Sequence, residues 1–229
     1  MQFLAYQDME RGLLRDFVRF IDHLSTRREE LLIAFREHFI LVAVPVSVAI
    51  VVAVPLGILA TRVRFLEGPI MGFANVMQTI PSLALLAFML VIGLGLGFKS
   101  AATGLFLYAL LPILRNTVTG IDGVDNALKR AAAGMGMTDM QILWRIELPL
   151  AMRVILAGIR TSTVIAIGVA VLGAYIGAGG LGQFITRGLG LVRNDLILLG
   201  AIPSALFALV TDQVLGRVQE WVTPKGLKI

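Results

Sequence analysis

Apolar positions in this chain fall in long uncharged runs, without the regular polar interruptions of a water-facing helix. Residues 40–60 carry no charge, and at 1.5 Å per residue that is enough to cross a hydrocarbon core of about 30 Å. Pro45 and Pro55 would end a soluble helix, but in a bilayer neighbouring spans satisfy the freed carbonyls. Arg62 and Arg64 close this first span. Residues 68–98 are also uncharged and exceed what one straight span needs. Asn75, Gln78, Thr79 and Ser82 cluster around Pro81 ahead of the almost wholly apolar residues 83–96. The pattern predicts a second span over residues 75–96, bent near Pro81. Residues 100–114 form a third span, ended by Arg115, whose long side chain reaches for the interface. Residues 154–176 and 196–216 form a fourth and a fifth.

Two regions break this pattern. In residues 1–38, Leu13, Leu14, Phe17, Val18, Ile21 and Leu24 recur at helical spacing among Glu10, Arg11, Arg15, Asp16, Arg19 and Asp22. That predicts an amphipathic helix lying at the membrane interface. Thr26 followed by Glu29 has the capping-box form and predicts a second short helix towards Phe39. Acidic residues are frequent and no basic segment precedes a short apolar core, so a cleavable signal peptide is not expected.

The other break is central, over residues 130–149. Asp125 can cap a helix over residues 126–133, which Gly134 and Gly136 interrupt. Thr138 with Gln141 is a capping box opening a second helix, with Met140, Leu143, Trp144 and Ile146 as its apolar positions. Pro149 then stops it and lets the fourth span start at a new angle. The prediction is a short helical hairpin across one membrane face.

Composition agrees with an all-α integral membrane protein. Hydrophobic residues make up 57% of the 229 and charged ones 15%, against roughly 25% charged in soluble chains. Without cysteine, disulfides and thiolate chemistry are excluded. The net charge of +5 fits cytoplasmic loops beside anionic lipid, and no basic cluster with interleaved aromatics points to nucleic acid. His23 and His38 lie in the N-terminal region, away from carboxylates in the spans, so neither zinc nor general-base chemistry is indicated.

Gly177, Gly179, Gly180 and Gly182 form a glycine loop between the last two spans. It follows a membrane span rather than a soluble strand, so it does not read as a nucleotide loop. A tight or re-entrant turn, acting as an outer gate loop, is the reading kept. Asn75, Gln78, Thr79, Ser82, Thr161 and Ser162 are candidates for a polar translocation pathway, or equally for hydrogen-bond glue between helices. Arg160 and Asp212 are expected near span ends, at an interface. With the C-terminus inside, inner loops carry ten Lys/Arg and the two outer loops three, but six N-terminal arginines offset this. Charge alone therefore favours an outside N-terminus only weakly.

The central segment resembles the coupling loop of binding-protein-dependent ABC importer permeases. That motif is Glu-Ala-Ala, then a glycine after three residues, then Ile-x-Leu-Pro after nine more. Ala131, Ala132, Gly136, Ile146, Leu148 and Pro149 match it at six positions. The glutamate falls on Arg130, preceded by Lys129, so a carboxylate contact there does not carry over. Over residues 37–218 the chain is similar to the osmoprotectant branch, the glycine betaine/carnitine/choline permeases. The likeness lies in Val54-Pro-Leu-Gly-Ile58, Gln78-Thr-Ile-Pro81, Leu110-Leu-Pro-Ile113 with Arg115-Asn116, Gly134-Met-Gly-Met137 and Gly177-Ala-Gly-Gly-Leu-Gly182. Methionine-importer permeases share the five-span plan and parts of these motifs.

The resemblance implies an N-terminal region 1–38, a five-span permease domain 39–218 with its coupling loop at 121–149, and a cytoplasmic tail 219–229. It implies a multi-pass protein of the plasma or inner membrane, paired with a second permease. Two cytoplasmic ATPases would receive the coupling loop, and an external binding protein would deliver solute. This chain would bind no cofactor. It lacks a GxxxxGK[ST] loop, so ATP and Mg would sit on the partner ATPases. The alternatives are a methionine, taurine or ergothioneine permease, or a standalone channel or passive carrier, which would have no use for the coupling motif.

Overall fold

The computed structural model describes residues 19–22 and 24–223. The predicted amphipathic positions Leu13, Leu14, Phe17 and Val18, together with His23, Lys225 and Lys228, lie outside the described residues. Helix α1 spans Arg28–Arg62, α2 Arg64–Thr79 and α3 Ser82–Met89, the last widening into a π turn over Leu90–Leu94. Helix α4 spans Phe98–Asp122, α5 Asn126–Gly134, α6 Asp139–Ile142 and α7 Leu148–Leu172. Helices α8, Gly182–Leu191, and α9, Asn194–Val222, follow. By length and hydropathy, Arg28–Arg62, Phe98–Asp122, Asp139–Ile176 and Asn194–Val222 can each cross a membrane, and α2 with α3 adds a fifth as a bent pair.

The first span begins earlier than its uncharged run suggested. Thr26 does not cap a helix. It is itself helical, and its hydroxyl donates to the carbonyl of Asp22 at 3.0 Å. Helix α1 starts at Arg28 without a side-chain cap and passes unbroken through Phe39. Glu29 and Glu30 in its first turn suit the positive end of the helix dipole. Further along, the buried Ala49, Ala53 and Gly57 recur every fourth residue, so small side chains share one face. A Cβ on Gly57 would stand 2.7 Å from Thr117 of α4. Small residues there let the two backbones approach closely. A Cβ on Gly158 of α7 would lie 2.5 Å from Asn116 of α4, so α4 is gripped from both sides.

The second span is broken more sharply than a bend. Helices α2 and α3 meet at 101°. Ile80 (ψ 128°) and Pro81 (ψ 133°) are extended, as a residue before proline prefers. The carbonyl of Ile80, left without a helical partner, accepts from the Tyr108 hydroxyl of α4.

Pro149 does not stop the helix it enters. A π turn over Leu143–Glu147 joins α6 to α7, and the N–H of Leu148 reaches back to the carbonyl of Leu143. Pro149 then sits in the first turn of α7, where its missing N–H is not needed. The predicted second helix and the fourth span are therefore one rod, Asp139–Ile176.

Contacts sort the loops onto two faces. On one, Arg62 meets Glu147, Arg64 stands 3.5 Å from Asp122, and Gln219 donates to the Arg153 carbonyl at 2.9 Å. On the other, Gly97 N–H donates to Ile176 at 2.8 Å and Arg187 pairs with Glu30 at 2.6 Å. Between the faces lies a core that includes Leu41, Leu86, Leu105, Ile113, Leu114 and Ile167.

Candidate functional site

The central segment is built from local signals at each end. The Asp125 side chain accepts from Ala127 N–H at 2.7 Å and caps α5. Thr138 and Gln141 form a reciprocal capping box at the start of α6. Between them, Gly136 N–H bonds the Ala133 carbonyl at 2.9 Å, and Met137 N–H bonds the Ala132 carbonyl at 3.1 Å. This pair is a Schellman ending, which requires a left-handed residue at Gly136, and its φ is 83°. The motif's glycine thus has a backbone reason, since nothing else crowds that position.

Of the motif's other positions, Ala132 is fully buried and Leu148 nearly so. Arg130, Ala131 and Pro149 are exposed, and Ile146 is half-buried. The outer surface of the segment carries Met135, Met140 and Trp144, each more than 60% exposed. Beneath it Leu143 and Leu148 pack with Ile121, Ala151 and Ile155, so the segment rests on the ends of α4 and α7.

The anchor that the sequence did not reveal is Glu147. It is 2% exposed; Arg62 at the end of α1 donates to both its oxygens, and Lys129 lies 3.4 Å away. Lys129 also donates to the Ile121 carbonyl at 3.1 Å. One legible signal existed: Glu147 follows Leu143 by four residues and so shares its buried face. Arg130 beside Lys129 has no ion-pair partner among the described residues. It borders a cavity of about 260 Å³ with Arg62, Asp139 and Glu147.

The candidate pathway residues do not converge on one cavity. Asn75 accepts from Arg115 at 3.0 Å. Arg115 therefore does not end a short span; α4 continues to Asp122. Gln78 is half-buried, and exposed Thr79 donates to its own helix at Val76. Ser82 lies at the broken corner against Tyr108. Ser162 is buried and donates to the Ala109 carbonyl at 3.0 Å, tying α7 to α4. Thr161 is exposed beside a cavity bordered by Arg160 and Asp212. These last two pair with each other across α7 and α9, and Gln219, which joins Arg153 on the coupling face, borders the same cavity. The helix carrying Arg160 starts earlier than its predicted span, and the one carrying Asp212 runs longer in both directions.

The glycine loop packs onto α1. Gly177, Gly179 and Gly180 have positive φ, and Gly180 N–H donates to the Glu37 carboxylate at 2.9 Å. A Cβ on Gly180 would lie 3.0 Å from His38 Nδ1. A Cβ on Gly182 would run into the Val171 carbonyl. His38 itself is fully buried, its Nε2–H donating to the Ile167 carbonyl at 3.2 Å and its ring against Phe207. It belongs to the helical bundle, not to a separate interfacial arm.

Known proteins of similar sequence bear on this arrangement. The chain is 46% identical over 205 residues to the glycine betaine/carnitine/choline transport system permease protein OpuCB of Bacillus subtilis, covering 90% of this chain and 94% of that one. It is 45% identical to the choline transport system permease protein OpuBB of the same organism, covering 91% and 95%. To the osmoprotectant import permease protein OsmW of Salmonella typhimurium it is 43% identical, covering 84% and 91%. In fold it is similar to a chain of the MetNI methionine ABC transporter in an inward-facing conformation, with a TM-score of 0.74 at 22% identity. That match covers 85% of this chain and 96% of the other. Residues 53–225 match the binding-protein-dependent transport system inner membrane component family. The chain belongs to that family: it is a multi-pass inner-membrane permease.

Proposed function

We propose that this chain is the translocating subunit of an ABC importer for a quaternary ammonium compatible solute of the glycine betaine, carnitine or choline type. The observation that carries the reading is its identity of about 46%, across nine-tenths of its length, to permeases named for those solutes. The 22% likeness to a methionine transporter supports the fold and leaves methionine the weaker alternative.

In this reading the hairpin of α5 and α6 docks on a cytoplasmic ATPase, one per permease of a pair, and an external binding protein delivers solute. ATP and Mg belong to the ATPases, and this chain binds neither. The coupling face is then cytoplasmic, with the C-terminus inside and the N-terminus outside. Met135, Met140 and Trp144 supply apolar contact for docking, and the exposed Arg130 offers a cation to an acid on the ATPase. A push on α6 reaches α7 directly, because Asp139–Ile176 is one rod. Through Glu147 and Arg62 it also reaches α1. Such rigid-element coupling is what inward- and outward-open switching requires. Ala131, Ala132, Gly136, Ile146, Leu148 and Pro149 hold the shape of this element.

The test is uptake of labelled glycine betaine, carnitine and choline in a transport-null cell expressing this chain with its ATPase, sister permease and binding protein. Accumulation dependent on all the subunits is expected. Uptake of methionine but none of the three would refute the solute class.

A further inference from the structure

The coupling segment does not account for one ion pair held between two spans. Arg160 of α7 donates to both carboxylate oxygens of Asp212 of α9, Nε to Oδ1 at 2.5 Å. Arg160 stands seven residues beyond Arg153, about 10 Å along α7 from the face where Gln219 meets the Arg153 carbonyl. Charges within a span face a bundle interior or a water-filled path, since hydrocarbon tolerates them poorly. Yet the two side chains are 36% and 37% exposed, so this chain does not itself seal them.

They border an open cavity of about 440 Å³, together with Ala157, Thr161, Val164 and Gln219. The guanidinium lies over Gly216, where a Cβ would stand 3.1 Å from Nη1. A bare stretch of α9 backbone therefore seats it. By contrast, the larger cavity against α1, about 790 Å³, is lined mostly by apolar residues such as Ile50, Val54, Ile58 and Leu143, with Arg62 and Asp139 its charged members. Arg62 there is already committed to Glu147, and no paired cation and anion face each other across it.

We infer that the Arg160–Asp212 cavity holds a zwitterionic solute in transit, one carrying both a quaternary ammonium and a carboxylate. This rests on the solute class proposed above. Arginine's planar fork matches a carboxylate with two parallel hydrogen bonds. A quaternary ammonium has no N–H to donate, so Asp212 recognises it by charge alone. With the site empty, the two residues neutralise each other. A zwitterion entering between them replaces one ion pair by two, and no charge is left uncompensated away from water. Choline has the cation without the carboxylate, so it engages Asp212 and leaves Arg160 unmatched.

The test uses the complete complex in proteoliposomes. The double variant Arg160→Gln with Asp212→Asn keeps a hydrogen-bonding pair between α7 and α9 but removes both charges. Ala157→Leu keeps the pair and fills the cavity. Each is expected to lower glycine betaine and carnitine uptake about tenfold or more while the complex still assembles, with choline uptake falling less in the double variant. If the double variant does not assemble, Ala157→Leu decides. Wild-type zwitterion uptake by an assembled variant would make the pair a mere clamp and overturn the site. If the unaltered complex carries neither zwitterion, the solute reading itself has failed, and the site falls with it.

Discussion

Arg62, the last residue of α1, and Glu147, in the wide turn between α6 and α7, are paired across 85 positions of sequence. Lys129 of α5 reaches the same carboxylate at 3.4 Å, so three elements converge on one buried acid. Glu147→Gln removes the charge and leaves two cations facing each other. Half-exposure of Arg62 softens the penalty, which should be about 1.5–3 kcal/mol. Thermal unfolding of the purified complex should shift down accordingly. Arg62→Gln, with Lys129 still in place, should cost less. Equal melting of Glu147→Gln and the parent protein would show that the anchor contributes nothing.

Gly136 closes the Schellman turn at φ 83°. Any side chain but asparagine or aspartate is strained there, by about 1–2 kcal/mol. Gly136→Val should abolish the stimulation of ATP hydrolysis by loaded binding protein while membrane insertion stays normal, and Gly136→Asn should be milder. A Gly136→Val complex that hydrolyses ATP normally in response to loaded binding protein would contradict this.

Arg130 occupies the position where the coupling motif carries glutamate, and it is exposed. If its charge meets an acid on the ATPase, Arg130→Glu should sharply reduce ATPase recovery on co-purification, and Arg130→Lys should restore most of it. Unchanged recovery of Arg130→Glu would sever Arg130 from docking.

Gly158 leaves no room for a side chain, because a Cβ would also meet the Pro112 carbonyl at 2.7 Å. That oxygen is backbone and cannot swing away. Gly158→Val should destabilise the bundle by about 1–3 kcal/mol, read as loss of monodisperse complex on size exclusion after mild heating. Gly68, with nothing within 4 Å of an added Cβ, is the control and should tolerate alanine.

What could be read from sequence was local. Asp125 with Ala127, and Thr138 with Gln141, act over two or three residues, and the structure places both caps as expected. The apolar runs identified the spans because a bilayer demands them. Their ends were misjudged where helices run on past the last apolar residue, as at Arg28 and Asp122. Pro149 misled for a related reason. In water a proline ends a helix, but a π turn just before it lets the rod continue. Glu147 with Arg62, and Arg160 with Asp212, depend on how separate helices are registered against one another. A single sequence does not state that register.

The seam of Ala49, Ala53 and Gly57 on α1 has a consequence for how the protein assembles in the bilayer. Alanine and glycine have no rotamers to lose. Docking α1 onto α4 therefore freezes few side chains and leaves mainly the rigid-body freedom of two helices to overcome. These two spans are separated in the chain by the broken pair α2 and α3. The earliest pairing of inserted helices is thus expected between non-consecutive spans, with the broken pair brought alongside afterwards and locked by Tyr108 at its corner.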